Sequence, residues 1–148
     1  MISPKIKLLF LCTGNSCRSQ MAEGWTHYLK GDQIEVYSAG IETHELDPLA
    51  VKAMNESGVD ISTHKSKNVS SLMHIRFDYV ITVCDHAYEN CPIFPGHAKV
   101  IHAGFDDPPM LAKNAGTDEE AMIHYRRIRD EIHEFVENLS GKLLEAKE

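Results

Sequence analysis

The 148-residue chain lacks the features that mark several classes of protein. It has no apolar run of about 18 residues, so we expect no membrane-spanning helix. It has no basic run and a net charge of −7, so we expect no nucleic-acid partner. Its first residues, Met-Ile-Ser-Pro-Lys-Ile-Lys, lack the apolar centre and cleavage site of a signal peptide. These absences predict a cytoplasmic protein.

Cysteine is scarce, with four residues in the whole chain. Because cytoplasmic thiols stay reduced, these cysteines indicate catalysis or metal binding rather than structural disulfides. A zinc site would have to use Cys84, Cys91, His86 and His97. Their spacing matches no common zinc pattern, and no Cys-x2-Cys pair is present. We therefore expect no metal site.

The rest of the chain alternates apolar, β-rich runs with amphipathic segments. Strands are predicted over 6–11, 34–39, 79–83 and 99–102. Helices are predicted over 19–29, from Pro48 to a stop at Gly58, in a short turn over 70–74, and from Thr117 along an apolar stripe that reaches Leu143. Alternation of this kind predicts a single α/β domain over 1–148, with three layers: a parallel sheet of about four strands and helices on both faces.

The most informative segment reads Cys-Thr-Gly-Asn-Ser-Cys-Arg-Ser, from Cys12 to Ser19, between the first strand and the first helix. A tight loop there can direct backbone N–H groups at a tetrahedral oxyanion, and the helix adds its positive end. Arg18 can place two N–H donors on two oxygens of the anion. We expect the same field to lower the pKa of Cys12 and to make it a thiolate nucleophile. The alternative is a buried Cys12 with Arg18 on the surface.

The candidate anion-binding residues follow Cys12 directly. They are Thr13, Gly14, Asn15, Ser16, Cys17 and Arg18. Gly14 and Asn15 tolerate the unusual backbone angles of such a loop, whereas the Cys17 side chain is better explained by packing. Ser19 either caps the helix or donates its hydroxyl to the Cys12 thiolate, and its position permits both.

Two further cysteines lie after the third predicted strand. Cys84 follows this strand at the sheet edge where Cys12 follows the first, so the two thiols can be neighbours. Cys91 lies farther out, in a segment with Pro92, Pro95 and Gly96. The three thiols can form a relay. Alternatively, Cys84 is a small core residue and Cys91 has no role.

An acid follows the fourth predicted strand. Pro108 holds the backbone of Asp107 extended, and a carboxylic acid fixed over the anion loop can protonate a departing oxygen. Asp-Asp-Pro-Pro is also a common loop composition. Beside Cys12 and Arg18, we interpret Asp107 as a general acid.

These motifs together resemble the thioredoxin-coupled arsenate reductases, which are built on the low-molecular-weight tyrosine phosphatase fold. The resemblance covers nearly the whole chain and rests on 12–25, 37–41, the Cys84 and Cys91 pair, and 104–108. Phosphatases of this fold share the first loop and the acid. The Cys84 and Cys91 pair therefore distinguishes a reductase from a phosphatase. The alternatives are a phosphatase acting on phosphotyrosine or small phosphate esters, and a redox-sensing or anion-binding module without catalysis.

The resemblance implies a specific reaction, the reduction of arsenate to arsenite. Cys12 would attack arsenate while Asp107 protonates the departing oxygen, and Cys84 would then attack Cys12 and release arsenite. Cys91 would attack Cys84, and thioredoxin would reduce the resulting disulfide. Phosphate or sulfate fits the same loop, and weak phosphatase activity is expected. We expect a monomer with no organic cofactor.

The spacing of the second and third cysteines predicts a conformational change. A helix between Cys84 and Cys91 would hold their Cα atoms about 10 Å apart, because each residue adds about 1.5 Å. A disulfide needs Cα atoms within about 7 Å. We therefore expect the segment to rearrange during the cycle.

The resemblance also raises the question of a potassium ion, which some family members bind behind the anion loop through five oxygen ligands. Asn15, Glu23 and Ser38 match three of these positions, but Lys65 and Lys67 stand at the other two. An ammonium cannot ligate a cation. We therefore expect no potassium site, and we expect Lys65 to pair with Glu23 instead.

Overall fold

The computed structural model describes residues 5–96 and 98–147. Within these residues, the sheet has four parallel strands in the order β2-β1-β3-β4. The strands are β1 (Ile6–Cys12), β2 (Ile34–Gly40), β3 (Tyr79–Thr82) and β4 (Lys99–His102). The helices are α1 (Arg18–Lys30), α2 (Pro48–Glu56), α3 (Asp85–Glu89), α4 (Pro108–Leu111), α5 (Asp118–Glu137) and α6 (Leu139–Lys147), with a 3-10 turn at Val69–Leu72.

Both faces of the central strands are covered. Leu8, Leu9, Phe10 and Leu11 point alternately to opposite faces of the sheet, and all four are fully buried. Helix α5 packs against α1, α2 and α4, while α3 contacts β1 and β3. The predicted α/β fold, with four parallel strands and helices on both faces, is confirmed.

The strand register brings the chemically interesting segments to one edge. Leu11 pairs with Thr82, and Thr82 pairs with His102, so β1, β3 and β4 end side by side. Cys12 is the last residue of β1, Cys84 lies two residues after β3, and the loop before α4 follows β4. Open parallel sheets bind ligands at this edge.

Side-chain caps explain where two helices begin. Asp47 accepts the N–H of Leu49 at 3.0 Å, with Pro48 as the first residue of α2. Thr117 accepts the N–H of Glu120 at 3.2 Å and so starts α5. The Glu120 carboxylate accepts the N–H of Gly116 rather than that of Thr117, so only half of a capping box forms.

The predicted helices differ from the structure in two respects. The long C-terminal helix is divided at Asn138, whose side-chain amide donates to the Glu134 carbonyl at 2.8 Å and so competes with the helical ladder. The sequence pattern does not predict the short helices α3 and α4, because four or five residues are too few to show the helical spacing of apolar residues. None of the helices in the described ranges has the length and apolar character needed to cross a membrane.

Candidate active site

Asn15 fixes the shape of the loop between β1 and α1. It has a φ of 52°, in the left-handed region that asparagine tolerates, and it is fully buried. Its amide nitrogen donates to the hydroxyls of Ser19 and Ser38 at 2.8 and 2.9 Å. Its amide oxygen accepts from the Gln20 side chain and the Lys67 N–H at 3.1 and 2.9 Å. Every polar group of the side chain is therefore used to hold the loop.

Gly14 lies where a neighbouring segment passes close to the loop. A Cβ at this position would lie 2.2 Å from the His44 ring. The Gly14 carbonyl also accepts from the His44 N–H at 3.0 Å and from the Ser66 hydroxyl at 2.7 Å. A larger residue at position 14 would therefore require the exposed His44 side chain to move.

Ser19 does not cap the first helix. Helix α1 begins at Arg18, and its N-cap residue is Cys17, which makes no side-chain capping bond. The capping alternative for Ser19 is therefore wrong. Because the Ser19 oxygen accepts from Asn15, its own hydroxyl proton stays available for another acceptor. The predicted donation to Cys12 stays a prediction.

The structure brings the thiols of Cys12 and Cys84 together. The two buried side chains lie at the ends of β1 and β3, close enough for each to change the pKa of the other. The Thr13 hydroxyl lies 3.2 Å from the Cys84 sulfur. Cys84 is also the N-cap residue of α3, and its sulfur accepts the N–H of Ala87 at 3.4 Å. Several donors therefore converge on the second sulfur.

The pKa values of the two thiols shift in opposite directions. The hydrogen bond from Cys12 is the main cause that lowers the pKa of Cys84 to about 5, with Thr13 and the Ala87 N–H also contributing. The same bond, together with burial, raises the pKa of Cys12 well above its usual value. Arg18 and the Thr13 N–H act in the predicted, opposite direction but are outweighed. In contrast to the predicted lowering, the pKa of Cys12 is therefore raised in this pair.

Arg18 connects the loop to the predicted acid. One guanidinium nitrogen donates to the Phe105 carbonyl at 2.9 Å, and another lies 3.7 Å from the Asp107 carboxylate. The Arg18 side chain is only 11% exposed, which contradicts the alternative of a surface arginine. A separate ion pair between Asp106 and Arg127, at 3.0 Å, ties the acid segment to α5. The structure thus places Asp107 beside the anion loop.

Cys91 lies apart from the other two relay thiols, beyond α3. It is half-buried, and its thiol donates to the Pro92 carbonyl at 3.6 Å. Burial raises its pKa. It lines an apolar groove of about 550 Å³ together with Ile93, Phe94 and Val100. Cys12, Cys17, Cys84 and Cys91 are all free thiols, and the five residues between Cys84 and Asn90 are helical.

The residues behind the loop contact one another at the positions that the resemblance assigns to a potassium ion. Glu23 already accepts from the Ser38 hydroxyl at 2.9 Å and lies 3.1 Å from His64 Nδ1. The Lys67 ammonium donates to the Lys65 carbonyl at 2.8 Å, so a cation is already built into the chain there. The expected pairing of Lys65 with Glu23 is wrong, because His64 occupies that position and Lys65 is exposed.

A zinc site has little support in the described ranges, where no three His, Cys, Asp or Glu side chains converge. His97, one of the four zinc ligands considered, lies outside the described residues. Cys84 instead faces Cys12 and Thr13.

Sequence reasoning missed several supporting residues. Gln20 is fully buried, and it links the Asn15 carbonyl to the Lys65 carbonyl and to His64. The sequence does carry a signal for Gln20: it is a polar residue on the apolar side of α1, directly after the motif from Cys12 to Ser19. Asp47 holds the loop from the other side, since its N–H donates to the Ser16 carbonyl at 2.9 Å. Its carboxylate accepts the Tyr125 hydroxyl at 2.5 Å.

Known proteins resemble this chain along nearly its whole length. The low molecular weight phosphotyrosine protein phosphatase family matches residues 7–148. Arsenate reductases from Halalkalibacterium halodurans and Bacillus subtilis are each 53% identical over 125 residues, or 84% of this chain and 88% of theirs. A solved structure of an arsenate reductase in the phosphate binding state, 31% identical, covers 93% of this chain and 98% of its own, with a TM-score of 0.70. The chain therefore belongs to the low molecular weight phosphotyrosine protein phosphatase family, and these curated relatives within it are arsenate reductases.

Proposed function

We propose that this protein reduces arsenate to arsenite through a relay of Cys12, Cys84 and Cys91. The observation that carries the proposal is the position of the Cys84 sulfur at the anion loop, 3.2 Å from the hydroxyl of Thr13, the residue after Cys12. Hydrolysis of a phosphate ester needs one nucleophilic sulfur, whereas reduction of the bound anion needs a second sulfur within reach of the first. The relatives that are named arsenate reductases support the same conclusion.

The first step is a substitution at arsenic. Arsenate lies in the loop, where backbone N–H groups and Arg18 stabilise its charge. The proton shared by the two sulfurs moves to Cys84, which leaves Cys12 as the thiolate. Cys12 attacks arsenic, an As–S bond forms, and one As–O bond breaks. Asp107 donates a proton to that oxygen, which leaves as water.

The following steps transfer the two electrons. Cys84 loses its proton to solvent and attacks the Cys12 sulfur. The S–S bond forms while the As–S bond breaks, and the electron pair stays with arsenic, which leaves as arsenite. Cys91 then attacks the Cys84 sulfur and frees the Cys12 thiolate. In sum, arsenate and two thiols give arsenite, water and the Cys84–Cys91 disulfide.

Thioredoxin is the reductant that we propose for this disulfide. The half-buried Cys91 lines an open groove beside the fully exposed Ile93, so an external dithiol can approach that sulfur. A dithiol protein reduces it by the same exchange chemistry through a mixed disulfide. We further propose that the protein works as a monomer in the cytoplasm, where thioredoxin keeps such disulfides reduced.

Arsenite formation with a defined electron donor tests this function. We expect the purified protein, thioredoxin, thioredoxin reductase and NADPH to yield one arsenite per NADPH consumed. Without thioredoxin the yield should stop at about one arsenite per protein, because the oxidised relay is not regenerated. Hydrolysis of p-nitrophenyl phosphate without any arsenite formation would instead identify a phosphatase.

Potassium should not affect this activity. Lysines stand at two of the five ligand positions, 65 and 67, and the His64 ring lies 3.1 Å from the Glu23 carboxylate, a third. We predict that replacing potassium chloride with choline chloride, at equal ionic strength, leaves both the rate of arsenite formation and the Tm unchanged. A ligand that binds only the folded state would raise the Tm, and the rise would grow with the logarithm of its concentration above the Kd. A higher rate or Tm in potassium would contradict this prediction.

A further inference from the structure

His102 lies where β4 ends, next to the helix that carries the second sulfur. It pairs with Thr82 in the sheet, and its Nδ1 lies 2.8 Å from the Thr82 hydroxyl. Thr82 is fully buried, so this bond fixes the imidazole to the end of β3. When the hydroxyl donates to Nδ1, the ring proton is on Nε2. Nε2 is then a donor directed away from the sheet.

The acceptor for that donor belongs to α3. Nε2 lies 3.0 Å from a carboxylate oxygen of Asp85, the first residue of the helix. The Tyr88 ring, one turn later, packs over the imidazole with a centroid distance of 4.8 Å and an angle of 34°. The chain also passes close on the other side, since a Cβ at Gly104 would lie 3.2 Å from Nε2. We refer to Thr82, Asp85, Tyr88 and His102 as the His102 cluster.

These contacts depend on the conformation of α3. While Cys84 caps the helix, its sulfur faces Cys12 and Thr13, and Asp85 and Tyr88 are positioned to meet His102. The five helical residues of α3 lie between the two cysteines and alone advance the chain by about 7.5 Å, whereas a disulfide needs Cα atoms within about 7 Å. Formation of that disulfide must therefore displace the residues between them. The displaced residues include both α3 members of the His102 cluster.

We propose that His102 is a positioning residue that holds α3 in the reduced conformation and thereby sets the redox equilibrium of the Cys84–Cys91 pair. The inference rests on the proposed relay. Contacts that exist in the dithiol state and are lost in the disulfide state favour reduction, by linkage. The exchange itself is unchanged: the Cys91 thiolate attacks Cys84, the Cys84–Cys91 bond forms, and Cys12 leaves as a thiolate. The cluster keeps Cys84 at the anion loop until that attack occurs.

The redox equilibrium of the isolated pair tests the proposal. In a Cys12→Ser background, the Cys84–Cys91 disulfide is equilibrated with oxidised and reduced thioredoxin, and the fractions are read by alkylation and mass spectrometry. We expect His102→Leu to shift the equilibrium about five-fold toward the disulfide. This equals a potential about 20 mV more negative for a two-electron couple. His102→Gln keeps an N–H donor that can reach Asp85, so it should shift the equilibrium less than His102→Leu does.

Two further variants separate positioning from a general loss of stability. His133 has the same kinds of contact far from the relay, with its ring stacked on Trp25 at 4.1 Å and Nε2 at 2.8 Å from Glu137. His133→Leu should lower the Tm without moving the redox equilibrium. Asp85 is 88% exposed, so Asp85→Ala should fold and shift the equilibrium in the same direction as His102→Leu. The double variant should shift it less than the sum of the two, because both remove one contact.

Three results would contradict the proposed role of His102. An unchanged equilibrium in both His102→Leu and Asp85→Ala, with the disulfide forming normally, overturns the role of His102 and leaves the relay intact. The same holds if His133→Leu shifts the equilibrium as much as His102→Leu. If no Cys84–Cys91 disulfide forms in the parent protein, the proposed relay fails together with this inference.

Discussion

Cys84→Ser is expected to reduce the steady-state rate of arsenite formation at least about 10³-fold. A serine hydroxyl can neither attack the sulfur of the Cys12–arsenic adduct nor form a disulfide. The adduct therefore cannot release its arsenic as arsenite. The Cys12 nucleophile, Arg18 and the acid segment stay in place. Hydrolysis of p-nitrophenyl phosphate should therefore continue, which separates loss of reduction from loss of the anion site.

The same variant should change the pH dependence of that hydrolysis. The hydrogen bond with Cys84 is the largest cause of the raised Cys12 pKa. Without the Cys84 thiolate, the pKa of Cys12 falls, so the Cys12 thiolate persists to lower pH. The acid side of the pH profile for p-nitrophenyl phosphate should therefore shift to lower pH in Cys84→Ser.

Cys91→Ser is the matched control. It keeps the Cys12–Cys84 pair and should release about one arsenite per protein before it stops with a Cys12–Cys84 disulfide, which peptide mapping would detect. If Cys84→Ser and Cys91→Ser gave the same single turnover, Cys84 would not be the second sulfur. Sustained turnover in either variant would contradict the relay.

The positions of the candidate site residues could be predicted because they depend on simple rules. Apolar runs identified the parallel strands, and parallel strands place their carboxyl ends at one edge. Residues that directly follow those ends, such as Cys12 and Cys84, therefore had to be near each other. The loop conformation also had a local signal, in the Gly-Asn pair that tolerates unusual backbone angles.

The charge distribution could not be predicted in the same way. The sequence indicates that Arg18 and the loop N–H groups face Cys12. It does not indicate that the Thr13 hydroxyl and the Ala87 N–H reach the Cys84 sulfur, and both contacts lower the pKa of Cys84. The prediction that Lys65 pairs with Glu23 is wrong for a related reason. His64 and Lys65 are adjacent, and only the path of the loop decides which one faces the carboxylate.

Asp107→Asn is expected to lower the rate of anion chemistry by 10²- to 10⁴-fold, the usual contribution of a positioned proton donor. The amide has a similar shape but cannot supply a proton to the oxygen that leaves phosphorus or arsenic. The substitution also removes a negative charge 3.7 Å from Arg18. Binding of the anionic substrate should therefore not weaken. The loss should therefore be in kcat, measured for both arsenite formation and phosphate-ester hydrolysis.

Asp106→Asn is the matched control for this variant. Asp106 is the preceding residue, its side chain is 64% exposed, and it contacts Arg127 rather than the anion loop. An exposed ion pair of this kind contributes little, so the variant should change the rate only a few-fold. A comparison of two esters makes the test specific for proton donation. Phenyl phosphate has a poor leaving group that needs a proton, whereas p-nitrophenyl phosphate has a good one that needs it less. The Asp107→Asn loss should be larger for phenyl phosphate; equal losses would mean that Asp107 positions the substrate rather than protonating the departing oxygen.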